Sequence, residues 1–367
     1  MEVRALEQVE PQTGATTPSE AETRALTHAA CGDRAPRAAT VGGMRTMLLA
    51  TFVLLATACG PDTTWRPAYD ADPEGWVMHA WALPGMSLVT AGGSPAAGRI
   101  NFIEDGEVIP QAIPDVPLMN WIHGFAPNDI FAVGFEGTIL HYDGAAWTQM
   151  SVPTTQDLWG IWGASRDDLW AVGGTARRPD VGVPTLLHFD GAAWTEQTVP
   201  SLTPVNVSAL FKLWGSGPSD IYAVGARGAV VHYDGSAWSE VVVGAQGGFS
   251  AIWGSGPDNI LLVGGLSNGH LSHWNGTEWR SVDVTPLPGL NGVWTRSADV
   301  AHIVGVNGFV GTVDLQTLEI TEETARTGEQ FHAAYGVDGR LYAVGGNLAN
   351  PGTSFGVAFV RDLGDDE

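Results

Sequence analysis

The chain has 367 residues, enough for two or three ordinary domains, yet its 48 Gly, 22 Pro and 15 Trp beside only 16% charged residues describe many short strands and tight turns. Helical bundles and disorder are excluded as the main content, and all-β is the expected class. A formal charge of −23 repels phosphate backbones and anionic lipid, which excludes nucleic acid as a partner and disfavours a peripheral hold on a membrane.

Residues 1–43 are polar and mixed in charge, and they read as a disordered extension or as sequence ahead of the true start at Met44. Met44-Arg45-Thr46 then leads into a 12-residue apolar run, Met47 to Ala58, too short to span a bilayer and of the size of a secretory h-region. The run ends in Ala56, Thr57 and Ala58 before Cys59, which resembles a bacterial lipobox, with Leu55 one place earlier than leucine usually stands. The resemblance implies a signal peptide over 44–58 and a lipidated Cys59, a stable membrane anchor. Gly60 does not resemble an inner-membrane retention signal, so the outer membrane of a bacterial envelope is the expected address. Cys31 is the other cysteine, so a domain beginning at Cys59 has no disulfide and no thiolate metal site. That domain keeps 12 basic and 34 acidic residues, a charge of −22.

From residue 76 onward a repeat of roughly 42 residues takes over. An aromatic, usually followed by Gly, precedes a Val-Gly or Gly-Gly step by eleven residues, as in Trp162 to Gly173, Trp214 to Gly225, Trp253 to Gly264 and Trp294 to Gly305. Trp81, His123 and Tyr335 open weaker copies, giving seven in all. Each copy holds four short β-rich runs separated by turn residues, the content of one antiparallel propeller blade. Asp129, Asp168, Asp220, Asp299 and Asn259 stand where the first hairpin ends and are expected to cap their own turns. Asp-Gly steps at 143, 190 and 234, with Asn275-Gly276, supply the positive φ of a second tight hairpin. Trp147, Trp194, Trp238 and Trp279 open fourth strands, and they and the first-strand tryptophans are expected to fill the wedge between blades. The last copy stops after its third strand. Thr63-Thr64-Trp65-Arg66-Pro67 matches the opening of a fourth strand, so segment 59–75 is expected to close the ring near Trp65 from the N-terminal side, with the propeller over 76–367.

The consensus, aromatic-Gly-Ser-x-x-x-Asp followed by Ala-Val-Gly and His-Tyr-Asp-Gly-x-x-Trp, resembles the Trp-rich propeller repeats of secreted bacterial lipoproteins. It is distantly similar to Asp-box and photosystem-assembly-factor-type propellers. In Asp143-Gly144-x-x-Trp147 the Gly and Trp stand one residue closer to the Asp than in an Asp-box, a departure from the sialidase pattern. The resemblance implies a fold far more than an activity.

No catalytic constellation emerges. Arginines are out of register, a Gly-x-Ser-x-Gly elbow is missing, and the Gly-rich steps follow the blades and do not open helices. His141, His188, His232 and His273 share one blade position, but equivalent atoms on successive blades stand too far apart for one metal ion, so structural roles are expected and neither metal nor cofactor is. Joins between strands two and three, and four and one, vary in length and emerge on one face, where binding is expected. The candidate ligand residues on that face are Arg177, Arg178, Asp180, Asn268, His270, Asn347 and Asn350. The reading is a monomeric, non-enzymatic binding or scaffolding module for an envelope protein or glycan, with a lectin or glycan-active enzyme as its alternative.

Overall fold

The computed structural model describes residues 64–176, 182–245, 247–348 and 354–364. Within the unit Pro61–Glu367 the described strands form seven four-stranded antiparallel sheets. In blade 1 the strands are Trp76–Trp81, Leu88–Ser94, Ala97–Glu104 and Glu107–Pro110, paired in that order. The first strands of blades 2 to 7 are Met119–Ala126, Leu158–Ser165, Leu210–Gly217, Phe249–Gly256, Leu290–Trp294 and Gln330–Val337. Each packs on the first strand of its neighbours, and blade 7 packs on blade 1, so the expected seven-blade ring is closed and these strands form its inner wall.

Blade 7 is composite. Gln330–Val337, Arg340–Gly346 and Gly356–Asp362 come from the C-terminal end, and the fourth strand is Arg66–Pro67, with Arg66 opposite Val360 and Pro67 opposite Phe359. The expected closure near Trp65 is therefore present, and side chains fasten it. The Trp65 indole N–H donates to Glu323 on blade 6 at 2.5 Å. Arg361, 1% exposed, lies between Glu323 at 3.3 Å and His302 Nδ1 at 3.1 Å. Arg66 grips both oxygens of Asp362 at 3.0 and 3.2 Å.

The aromatic-Gly pair of the repeat is a fit between neighbours. The ring of Trp81 lies against Gly124, Trp162 against Gly215, Trp214 against Gly254 and Trp294 against Gly336, so in these four blades the Gly admits the indole of the blade before, while Gly163 in blade 3 meets Phe125. Where blade 6 has Thr295, Trp253 Nε1 donates to its carbonyl at 3.0 Å, and at the seam the Tyr335 hydroxyl donates to Ala82 O at 2.8 Å. Fourth-strand tryptophans also reach backward: Trp238 meets Trp170 edge to face at 5.1 Å, and Trp279 meets Tyr222 at 6.1 Å. Among the described residues no Trp, Tyr or Phe is exposed, in keeping with their expected packing role.

One local expectation changes. Asp143, Asp190, Asp234 and Asn275 cap their own turns, each Oδ1 accepting from the amides two and three residues on. Asp129, Asp168, Asp220 and Asn259 reach across the sheet instead, to His141, His188, His232 and His273 at 2.7–2.8 Å. Register explains the difference, because these residues open second strands and the residue two places on, Phe131, Trp170, Tyr222 or Leu261, pairs directly with the histidine of the third strand. The rings also stack on the second strand, His141 on Phe131, His188 on Trp170 and His232 on Tyr222, which completes a packing role for three of the four.

Candidate functional site

Two regions could recognise something, and the topology separates them. Strands alternate in direction, so the joins two-to-three and four-to-one emerge on one face and the short one-to-two and three-to-four turns on the other. On the first face the joins of adjacent blades lean on each other, with Thr175 N donating to Ser208 O at 3.0 Å and Ala226 N to Ala209 O at 3.0 Å. Blades 2, 4 and 6 carry the same tight 3₁₀ join, with Glu136, Arg227 and Asn307 at φ of 57°, 60° and 58°. Length variation is left to other blades.

This join face exposes apolar side chains. Val183, Val205, Val242 and Leu266 are 67%, 73%, 74% and 94% exposed, and all four lie in joins of blades 3 to 5. The other exposed large apolar residues among the described ones, Ile109 and Val282, sit on fourth strands at the rim. Asn268 is exposed in the same blade 5 join as Leu266. His270 opens the next strand, stands 5.1 Å from Phe249 edge to face, and has its pKa lowered by burial. Asn347 is buried, and its Oδ1 accepts from Trp76 Nε1 at 2.8 Å and Phe355 N at 2.9 Å, so that oxygen serves the ring from inside. Cys59, Arg177, Arg178, Asp180 and Asn350 lie outside the described residues.

On the turn face a groove of about 810 Å³ opens at the seam of blades 7 and 1, lined among others by Arg66, Tyr69, Glu104, Asp338, Arg340 and Tyr342. Its two arginines both face Asp362, at 3.0 and 3.8 Å, so its positive charge is already matched.

The second region is the inner wall. Two residues before each aromatic anchor the seven first strands carry His79, Trp121, Gly160, Lys212, Ala251, Gly292 and Ala333. The three large side chains meet. His79 stacks on Trp121 with centroids 3.4 Å apart, and Lys212 Nζ lies 3.9 Å over the Trp121 ring while donating to Trp159 O at 2.7 Å. His79 and Lys212 are each 2% exposed. Burial pushes the Lys212 ammonium well below its usual range, and burial followed by the nearby Lys212 charge does the same to His79. Burial also lowers His123 to about 4 and His332 to about 3. His332 Nδ1 donates to Met78 O at 2.7 Å. Sequence reading passed over Lys212, although a signal was present: it is the only lysine in the chain, placed where other copies carry small or aromatic residues.

No protein-family model matches this chain, and no curated protein matches it. Among solved structures it is similar to one described as YCF48 bound to D1 peptide, with 15% identity, a TM-score of 0.49, and coverage of 67% of this chain and 92% of that one. The chain is a seven-bladed β-propeller.

Proposed function

We propose that this propeller is an exported, lipid-anchored module of the bacterial envelope whose join face binds another envelope protein. The carrying observation is the concentration of four exposed Val and Leu side chains on that face, in consecutive blades, while every described aromatic is at least half withdrawn from solvent. Exposed apolar side chains gathered on one face of an otherwise acidic surface favour a face that is covered part of the time. Binding of a protein suits them better than binding of a glycan, which stacks on exposed aromatic rings. Cys59 would hold the ring at the membrane.

The test is crosslinking in cells. A photoreactive residue at position 266 is expected to capture a discrete envelope protein, and one at position 109 on the rim is not. Val242→Asp with Leu266→Asp is expected to reduce capture from a third site on the face, position 205, at least tenfold, with melting unchanged. Equal capture at 266 and 109, or capture indifferent to the double variant, would sink the reading. Cys59→Ser is expected to move the protein from the membrane fraction to the soluble one.

A further inference from the structure

Acidic residues are divided unequally between the two faces of the ring. In blades 1 to 6 every three-to-four turn carries one: Asp105, Asp143, Asp190, Asp234, Glu278 and Glu319. On the opposite face the joins 197–209, 226–229, 241–248, 265–269, 284–289 and 306–308 hold no Asp or Glu, in a chain that has 40 of them. These joins run on from one another between the end of blade 3 and blade 6. Ala226 N donates to Ala209 O at 3.0 Å, Gly265 N to Gly248 O at 3.2 Å, Gly269 N to Leu287 O at 2.9 Å and Val306 N to Gly289 O at 2.9 Å. Gly248 also lies against Ala226 and Arg227, which links the remaining pair of joins. The exposed Val205, Val242 and Leu266 all stand on this continuous sector. Its one charged residue is Arg227, whose Nε donates to Asn206 O at 3.1 Å.

Carboxylates return along the outer border of the sector, where fourth strands run into the joins. Glu196, Glu240 and Asp283 end the fourth strands of blades 3, 4 and 5, and Glu322 stands near the end of that of blade 6. Glu240 accepts from Thr203 and Asp283 from Thr285, while Glu196 and Glu322 are exposed. At the blade 6 end, beginning one residue past Leu266, a groove of about 640 Å³ is lined by Ser267, Pro286, Pro288, Asn307, Phe309 and Glu322 among others. Its other charged residues are Arg326 and Glu323, the latter held by Trp65 and Arg361.

This arrangement of charge selects among the surfaces that could cover the sector. A second copy of the chain would set its own acidic border against this one, like charge on like. Anionic lipid is repelled by the same border, and the sector has none of the Trp, Tyr or Lys side chains that seat proteins on bilayers. An apolar centre edged by carboxylates is complementary to an aliphatic centre edged by Lys and Arg: the centres exclude water, and the acidic field steers the basic edge into place. We propose, resting on the reading of the join face as a binding surface, that this sector receives a basic protein segment with aliphatic side chains at its centre. The aliphatic groups lie on Val205, Val242 and Leu266 and reach into the neighbouring groove, and the basic groups face Glu196 and Glu322.

Fluorescence anisotropy of labelled short peptides mixed with the full-length protein tests this partner class. The probes are a peptide with Val and Leu at its centre and Lys at both ends, the same centre with Glu at both ends, and Lys ends around a centre of Ser and Gly. In low salt the first is expected to bind about tenfold or more tighter than either of the others. Its lead over the Glu-ended peptide is expected to shrink at about 1 M salt, where the screening length falls to about 3 Å. Val242→Asp with Leu266→Asp separates the two contributions, because it makes the protein more acidic. Attraction by charge alone would strengthen, whereas loss of the apolar centre is expected to weaken the first peptide about tenfold, with melting unchanged. Glu196→Gln with Glu322→Gln is expected to cut the preference for Lys ends about threefold. Equal binding of all three peptides, binding of none, or binding of the first that the aspartate pair leaves intact would overturn the proposal. If position 266 still captures an envelope protein in cells, such a failure spares the join face as a binding surface; peptide preference without capture sinks the envelope reading alone.

Discussion

The indole of Trp162 rests on the backbone of Gly215 in the next blade, and this contact decides what position 215 can hold. An added Cβ there would lie 2.7 Å from Trp162 Cη2 and 2.9 Å from the Asp220 carbonyl oxygen, closer than real side chains come. Overpacking of this kind costs about 1–3 kcal/mol, because neither the indole nor the ladder carbonyl can retreat without moving a blade. Gly217, two residues on, has nothing within 4 Å of such a Cβ. Denaturant melts of Gly215→Ala and Gly217→Ala are therefore expected to differ, the first losing about 1–3 kcal/mol and the second staying within about 0.5 kcal/mol of wild type. Equal losses would mean that the aromatic-Gly pair reflects backbone conformation and not inter-blade fit.

At the scale of the element, the short closing strand has an effect beyond its length. Arg66–Pro67 contributes few ladder hydrogen bonds, but Trp65 beside it is tied to Glu323 and shares that carboxylate with the buried Arg361. Removing the strand strips the outer edge of blade 7 and leaves Arg361 with a reordered partner. Truncating a buried Trp costs about 3–5 kcal/mol, and Trp65 is half buried, so Trp65→Ala is expected to cost about 2 kcal/mol. Deletion of 60–68 is expected to cost most of the stability of the ring, read by thermal melting, and unaltered melting would refute closure as a source of stability. The closing strand could be read from the sequence because its Trp-Arg-Pro matches a fourth strand and the last copy lacks one. The Asp-Gly hairpins could be read too, since a turn states its own φ requirement. The Asp-to-His clasps could not, because they join residues 12 to 20 apart through a register that only the paired sheet fixes. For Lys212 the sequence offers its singularity as the one lysine but not its burial, which depends on seven copies meeting around an axis, and no single copy displays that.

Over the whole molecule, the inner wall should govern how stability responds to pH. His79, His123 and His332 have folded pKa values below the ordinary 6.5, the latter two at about 4 and about 3. Below pH 6.5 the unfolded chain binds protons that the folded ring refuses, so stability is complete above that pH and falls as pH drops through about 4 and 3. Each such histidine steepens the fall by up to about 1.4 kcal/mol per pH unit. Lys212 acts in the same direction over a higher range, since its folded pKa is also depressed and its unfolded value is near 10.5. On the alkaline side the sign reverses: burial raises Tyr222 and Tyr335 to about 12, so their contribution is present below pH 10 and is lost as pH rises through 12. Urea melts across pH 4 to 11 are expected to show a maximum between about pH 7 and 10, with a steep acid limb. The Lys212→Met variant is expected to be at least as stable as wild type at pH 7 and to show a flatter rise from pH 7 toward 10, because the proton released on burying the amine is gone. A wild-type profile flat from pH 7 to 4.5 would mean that the central histidines are hydrated and charged, and that the inner wall is open to water after all.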